Sequence, residues 1–279
     1  MHFFTHRTRQ FSLAALLIVV TLACKDETNP VTTTDLNVQT TSLGKVVAGE
    51  GGRTLYVFGA DADGSANCSG ACLGNWPVFY KELPTLGNSL IAADFTTITR
   101  ADGAKQTAFK GWPLYYFKND TKAGDVTGEN VGNVWQVAKA NYTVLVASRQ
   151  LIGSDGKSYT FDTKEGTGNS LFLTDNVGRT LYAFAFDKKG TNKYTKADLS
   201  NNPVWPLFEG TIDEVPSGLS KADFNTITVF GKNQITYKGW PLYYFGADLG
   251  LRGNTKGVSS PRPGVWPVVY KTSPEAPNP

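Results

Sequence analysis

Four short apolar stretches of one form punctuate an otherwise mixed chain: Leu55-Tyr56-Val57-Phe58, Leu114-Tyr115-Tyr116-Phe117, Leu181-Tyr182-Ala183-Phe184 and Leu242-Tyr243-Tyr244-Phe245. In each, Tyr and Phe stand two apart and share one face of an extended strand, while Leu and the intervening residue share the other. Both faces are largely apolar, which predicts strands covered on both sides. Three residues after each Phe comes an Asp: Asp61, Asp120, Asp187 and Asp248. A Trp follows each Asp, 15 residues on in the first two copies (Trp76, Trp135) and 18 in the last two (Trp205, Trp266).

The spacing makes four units of about 60 residues, each one structural piece. Units one and three share Gly-Arg-Thr-Leu-Tyr (52–56 and 178–182); units two and four share Lys-Gly-Trp-Pro-Leu-Tyr-Tyr-Phe (110–117 and 238–245). Asp94–Thr99 also matches Asp223–Thr228. The order is therefore A-B-A′-B′, two repeats of about 110 residues, each of ordinary domain size.

Thr107–Phe109, Lys110-Gly111 and Trp112–Phe117 read as strand, tight turn and strand, and Thr236–Phe245 reads the same way. Five of the six tryptophans precede Pro. Such positions belong at sheet edges, strand starts or bulges, because Pro gives no ladder donor. Amphipathic helix patterns are missing, and short stretches such as Ser89–Ala93 and Ser220–Ala222 predict no more than a turn. The fold class is all-β, two homologous repeats with two strand-rich halves each, sandwich- or barrel-like.

The start of the chain reads as an address. Arg7 and Arg9 precede an apolar run, Phe11–Leu22, too short to span a bilayer and closed by Ala23-Cys24. That layout resembles a bacterial lipobox, with Cys24 as the lipidated first residue of the mature chain. Thr21 departs from the usual Leu three residues before the Cys. Lys25-Asp26-Glu27 resembles the export signal of surface lipoproteins in Bacteroidetes-type bacteria. The predicted division is a signal peptide over 1–23, a polar tether over 24–42, repeats over 43–150 and 151–270, and a frayed tail over 271–279.

Removing the leader takes both His residues and the single Met with it. The mature chain carries 25 Lys+Arg (27 minus Arg7 and Arg9) against 24 Asp+Glu, a balance of +1. Nothing in that balance favours nucleic acid. An apolar content of 41% is enough for a sizeable core.

With Tyr-x-Phe-x-x-Asp present in all four units, the chain resembles the secreted-repeat lipoproteins known for a Tyr-x-aromatic-x-x-Asp motif, from about Leu43 to Tyr270. Similar members carry Gly-Arg-Thr-Leu-Tyr, a Cys-x-x-x-Cys ahead of Trp-Pro, and Gly-x-Pro-Leu-Tyr. Here these are Gly52–Tyr56, Cys68–Cys72 before Trp76-Pro77, and Gly111–Tyr115. The second repeat departs, with no Cys around Tyr194–Asp198. The resemblance implies an envelope location and a shared fold; the family has no established activity.

Four groups of residues bear on chemistry. Cys68 and Cys72 form a disulfide by default in an exported protein, with a redox pair or a metal site as the alternatives. A redox role lacks the Cys-x-x-Cys spacing and a neighbouring His. Two sulfurs without His or Met make a poor metal site. Asp61, Asp120, Asp187 and Asp248 fix turns by accepting backbone N–H bonds, the alternative being paired acid–base carboxylates. Asp61-Ala62-Asp63-Gly64-Ser65 has calcium-loop spacing but lacks the distal Glu, and reads as a polar turn. Tyr56, Phe58, Tyr115, Phe117, Tyr182, Phe184, Tyr243 and Phe245 belong to the core by their periodicity, while Trp-Pro loops leave room for exposed, sugar-stacking faces.

The reading is a lipid-anchored outer-membrane protein, facing either the cell surface or the periplasm, that binds an envelope protein or glycan and is not an enzyme. No cofactor or metal is predicted. The alternatives are an accessory redox protein using Cys68 and Cys72 or a bound cofactor and, more weakly, a carboxylate-based glycan hydrolase. The segments after Asp61 and Asp187, where the repeats diverge, are the expected contact surfaces.

Overall fold

The two Lys-Gly turns set the frame of the sheets. Lys110 and Lys238 both have φ 49°, followed by Gly111 at 78° and Gly239 at 82°. Two successive positive φ values give the turn whose twist matches paired strands. The structure, a computed structural model, describes residues 1–3 and 34–279. Cys24, Lys25-Asp26-Glu27 and the tether up to residue 33 lie outside those residues.

The unit Thr34–Pro279 is built of short antiparallel strands. In the first repeat these are β1 (Asn37–Thr41), β2 (Gly44–Ala48), β3 (Tyr56–Phe58), β4 (Phe95–Thr99), β5 (Lys105–Phe109), β6 (Trp112–Pro113) and β7 (Trp135–Val137). The second repeat has β8 (Val144–Ile152), β9 (Ser158–Tyr159), β10 (Asn169–Asp175), β11 (Tyr182–Ala183), β12 (Phe224–Val229), β13 (Lys232–Tyr237) and β14 (Trp240–Tyr243). One five-residue helix, α1 (Ala71–Asn75), is the sole α-helix among the described residues.

The strands make five small sheets: β1-β2, β3-β7, β4-β5-β6, β10-β8-β9 and β11-β14-β13-β12. No sheet closes into a barrel among the described residues. The β4-β5-β6 meander and its counterpart β12-β13-β14 have the same register around the Lys-Gly turn, Phe109 facing Trp112 and Tyr237 facing Trp240. Each Trp-Pro pair here begins the strand after the turn.

Three boundaries differ from the sequence reading. The predicted tether reached residue 42, yet Asn37–Thr41 forms β1 and Leu36 is fully buried. The hydrogen-bonded hairpin with β2 overrides the polar composition. The division at 150/151 falls inside β8, which pairs along β10 from Val144 onward and so belongs to the second repeat. The tail after Lys271 does not fray. Ala276 N donates to Lys238 O, Trp240 Nε1 donates to Pro274 O, and Ala276 is buried.

One buried cluster runs through both repeats, from Leu36 to Val268, and includes Tyr56, Tyr115, Tyr182 and Tyr243. A second cluster lies in the second repeat, around Phe208, Ile235, Tyr237 and Leu242. The side chain of Arg252 ties the repeats together, donating to Ala62 O and Lys110 O across the face of Trp112.

Candidate functional site

The signature tyrosines meet in pairs. Tyr56 and Tyr115 exchange both backbone hydrogen bonds, at 2.8 and 3.0 Å, and Tyr182 faces Tyr243 in the same way in the second repeat. With the backbones joined there, each tyrosine hydroxyl reaches the aspartate of the other unit. Tyr56 donates to Asp120 Oδ2 at 2.5 Å and Tyr115 to Asp61 Oδ2 at 2.8 Å. Tyr182 donates to Asp248 Oδ2 at 2.7 Å and Tyr243 to Asp187 Oδ2 at 2.8 Å. Units A and B thus hold each other by reciprocal bonds, and so do A′ and B′.

The second carboxylate oxygen fixes the chain that follows. Oδ1 of Asp61 accepts from Asn67 N, that of Asp187 from Lys193 N, that of Asp248 from Lys256 N, and that of Asp120 from the backbone and hydroxyl of Thr127. All four aspartates are buried. Burial pushes Asp61 and Asp187 up to about 7, against the opposing pull of their hydrogen-bond donors. Asp248 is raised for the same reason, and desolvation raises all four tyrosines as well.

The aromatic partners of the motif form a column in each repeat. Trp76 stacks on Trp135 with ring centres 3.6 Å apart, and Trp205 on Trp266 at 3.7 Å. Phe58 and Phe117 cap the first pair; Phe184 and Phe245 cap the second. The four signature tyrosines are buried, and so are Phe117 and Phe245, whereas Phe58 and Phe184 are half-buried. Stacked rings and edge-on tyrosines supply packing energy beyond area burial alone.

Cys68 and Cys72 are joined in a disulfide. Cys68 is buried, and its carbonyl accepts from Arg100 Nη2. Seven residues after its Asp, the second repeat has Tyr194 where the first has Cys68. The Tyr194 ring packs edge-on against Trp266 and against Phe184. An aromatic contact there anchors the loop that the disulfide clips in the first repeat. Sequence reading noted the missing cysteines but not this replacement.

The calcium-like spacing at Asp61–Ser65 has its carboxylates engaged elsewhere. Asp61 is held as above, while Asp63 accepts from Ser65 N and pairs with Arg149 at 2.8 Å. No group of three or more His, Cys, Asp or Glu residues suited to a metal occurs among the described residues. The paired tyrosines keep the signature carboxylates in separate hydrogen-bonded cages, where they serve as acceptors that hold turns.

Two surface concavities lie away from these cages, while a smaller hollow of about 150 Å³ is lined in part by Asp248. One of about 350 Å³ lies beside β4, between Leu83, Leu86, Ala92 and Phe95. Another, of about 380 Å³ and mostly polar, lies between Asn141–Thr143, Asp175–Arg179 and Phe208–Asp213. Neither lining was read as a cavity in the sequence, because its residues converge from separate segments.

Residues 37–80 and 96–139 match the family model of a secreted repeat of unknown function. The chain therefore carries two copies of that repeat, one in each half of its first large repeat. Such a repeat implies an extracellular or envelope protein. No curated protein and no solved structure matches the chain. Among the described residues no helix is long and apolar enough to cross a membrane.

Proposed function

We propose that this chain of secreted repeats is a lipid-anchored envelope protein that binds a partner without turning it over. The observation that carries the reading is the double engagement of each signature carboxylate, by a tyrosine hydroxyl and by a backbone N–H. A general acid or base must reach a substrate proton, directly or through one water. These four groups face inward and are committed to the fold.

What is left for recognition is the irregular surface. The segments 62–75 and 188–204 follow equivalent aspartates but differ in length, charge and anchoring. The first is clipped by a disulfide; the second is pinned by Tyr194 and carries Lys188, Lys189, Lys193 and Lys196. A rigid, repeated frame presenting divergent loops suits a binding module. Affinity capture from intact envelopes, followed by mass spectrometry, tests the reading. A partner retained by the wild type and lost on replacing 62–75 or 188–204 supports it. Turnover of an envelope glycan or a redox dye, abolished by one Asp or Cys substitution, contradicts it.

A further inference from the structure

The second repeat holds one polar network that the first repeat lacks. Gly52-Arg53 and Gly178-Arg179 are equivalent, and three residues before each Gly stand Gly49 and Asp175. Their backbones match: Gly49 N donates to Arg53 O, and Asp175 N to Arg179 O, both at 2.9 Å. In each repeat the arginine lies over the second tyrosine of Leu-Tyr-Tyr-Phe, Arg53 over Tyr116 and Arg179 over Tyr244. A phenylalanine edge backs each tyrosine, Phe79 in the first repeat and Phe208 in the second.

The environments then diverge. In the first repeat Tyr116 Oη accepts from Glu50 N, and a Cβ on Gly49 would lie 2.2 Å from that hydroxyl. The backbone closes over the ring. In the second repeat Asp175, itself buried, takes the hydroxyl of Tyr244 at 3.0 Å and Arg179 Nε at 2.6 Å, while Arg179 Nη2 donates to Tyr244 Oη at 3.0 Å. This three-way network forms the floor of the polar cavity of about 380 Å³. On the far side of Arg179 and Tyr244 lies a smaller hollow of about 150 Å³, lined by Pro206 and Leu251.

Most of the cavity's charges are paired within the protein, and the Asp213 carboxylate, with no ion pair among the described residues, is left as an acceptor for hydroxyl donors. Arg179 is matched by Asp175, and Glu209 by Lys232 at 2.9 Å. An anion would meet Asp175, Glu209 and Asp213; a cation would meet Arg179. Asn141 and Asn176 line the same space, and no hydrogen bond engages their side-chain amides among the described residues. Uncommitted amides offer donors and acceptors together. The volume falls within the range of small-molecule sites, about 300–1,000 Å³.

We infer that this cavity of the second repeat binds a neutral, hydroxyl-rich ligand, one or two sugar rings of an uncharged glycan. The ring hydroxyls would bond to Asn141 and Asn176, with the Asp175–Arg179–Tyr244 network as a fixed floor. The inference rests on the binding-module reading and adds to it a second surface, separate from the loops after Asp61 and Asp187, with its own ligand class.

Saturation-transfer NMR and calorimetry on the protein, with neutral hexose and N-acetylhexosamine oligosaccharides of about one to four units sized to such a cavity, test it. At least one saccharide is expected to bind, at least about tenfold more weakly in the double variant Asn141→Ala/Asn176→Ala, each amide hydrogen bond contributing roughly 1 kcal/mol. Asp175→Gly, which installs the first repeat's residue, should weaken binding similarly, and Arg53→Lys should leave it unchanged. Saccharide binding insensitive to the double amide variant overturns the site while leaving the binding-module reading intact. Failure of every saccharide to bind, with envelope capture retained, overturns the ligand class alone.

Discussion

The hydroxyl of Tyr56 donates to Oδ2 of Asp120, 2.5 Å away and 64 residues along the chain. The bond joins unit A to unit B, and its mirror, Tyr115 to Asp61, joins B to A. A motif that reads locally as Tyr-x-Phe-x-x-Asp is thus satisfied only between two copies. That explains why the units come in pairs.

Replacing Tyr56 by Phe removes the donor and leaves the ring in place. The buried Asp120 oxygen then lacks a partner, at a cost of about 1–3 kcal/mol. Urea unfolding should show the loss. A double-mutant cycle with Asp120→Asn should give a coupling of roughly 0.5–3 kcal/mol. Additive effects of the two changes would deny the pairing.

The pH dependence follows from burial. Asp61 and Asp187 rise from 3.8 to about 7 in the folded protein. The folded chain therefore holds more protons than the unfolded one between these values, and stability falls as pH rises through that window. Asp35, held down to about 2 chiefly by its bond to Lys81, titrates below the window and does not mask the trend. The urea midpoint should be lower at pH 7.5 than at pH 5, and Asp61→Asn should flatten the slope. A midpoint that climbs over this range would rule out raised carboxyls.

Much of the frame was legible from residues alone. The two-residue spacing of Tyr56 and Phe58 marks a strand, and Lys110-Gly111 marks its turn. The crosswise partners were not legible, because nothing local tells Tyr115 that its acceptor is Asp61 rather than its own unit's Asp120. Sheet pairing decides that. Val144–Ile152 reads as the end of the first repeat until its ladder with Asn169–Asp175 is seen. The Pro-rich tail reads as frayed because composition is silent about Ala276 N meeting Lys238 O. The polar cavity escaped notice because it joins residues from five separate segments, and its key difference is one aspartate replacing one glycine.

The Cys68–Cys72 bridge clips a short loop. Its removal by Cys68→Ala should cost roughly 2 kcal/mol in the chain-entropy model. Alkylation with and without reductant, read by peptide mass, should show both thiols blocked in the native protein. Free thiols in protein purified without reductant would refute the bridge. The second repeat, held at the equivalent place by Tyr194, should be unaffected.

Lipid anchoring is tested at Cys24. Cys24→Ser should abolish fatty-acid labelling and release the protein from membranes. Unchanged labelling would disprove acylation there. Protease shaving of intact cells, with Lys25, Asp26 and Glu27 changed to Ala, tests surface display separately.

The division between an inward-facing motif and an outward-facing binding surface is tested by one comparison of envelope capture. Wild type, Tyr115→Phe and a chain with residues 62–75 grafted in place of 188–204 are each presented to intact envelopes, and captured partners are quantified by mass spectrometry. Tyr115→Phe should unfold at lower urea yet capture the same partner in the same amount, since its hydroxyl touches Asp61 and no ligand. The graft should remain folded and lose or change its partner. Capture abolished by Tyr115→Phe in a still-folded protein, with the graft indistinguishable from wild type, would contradict the account.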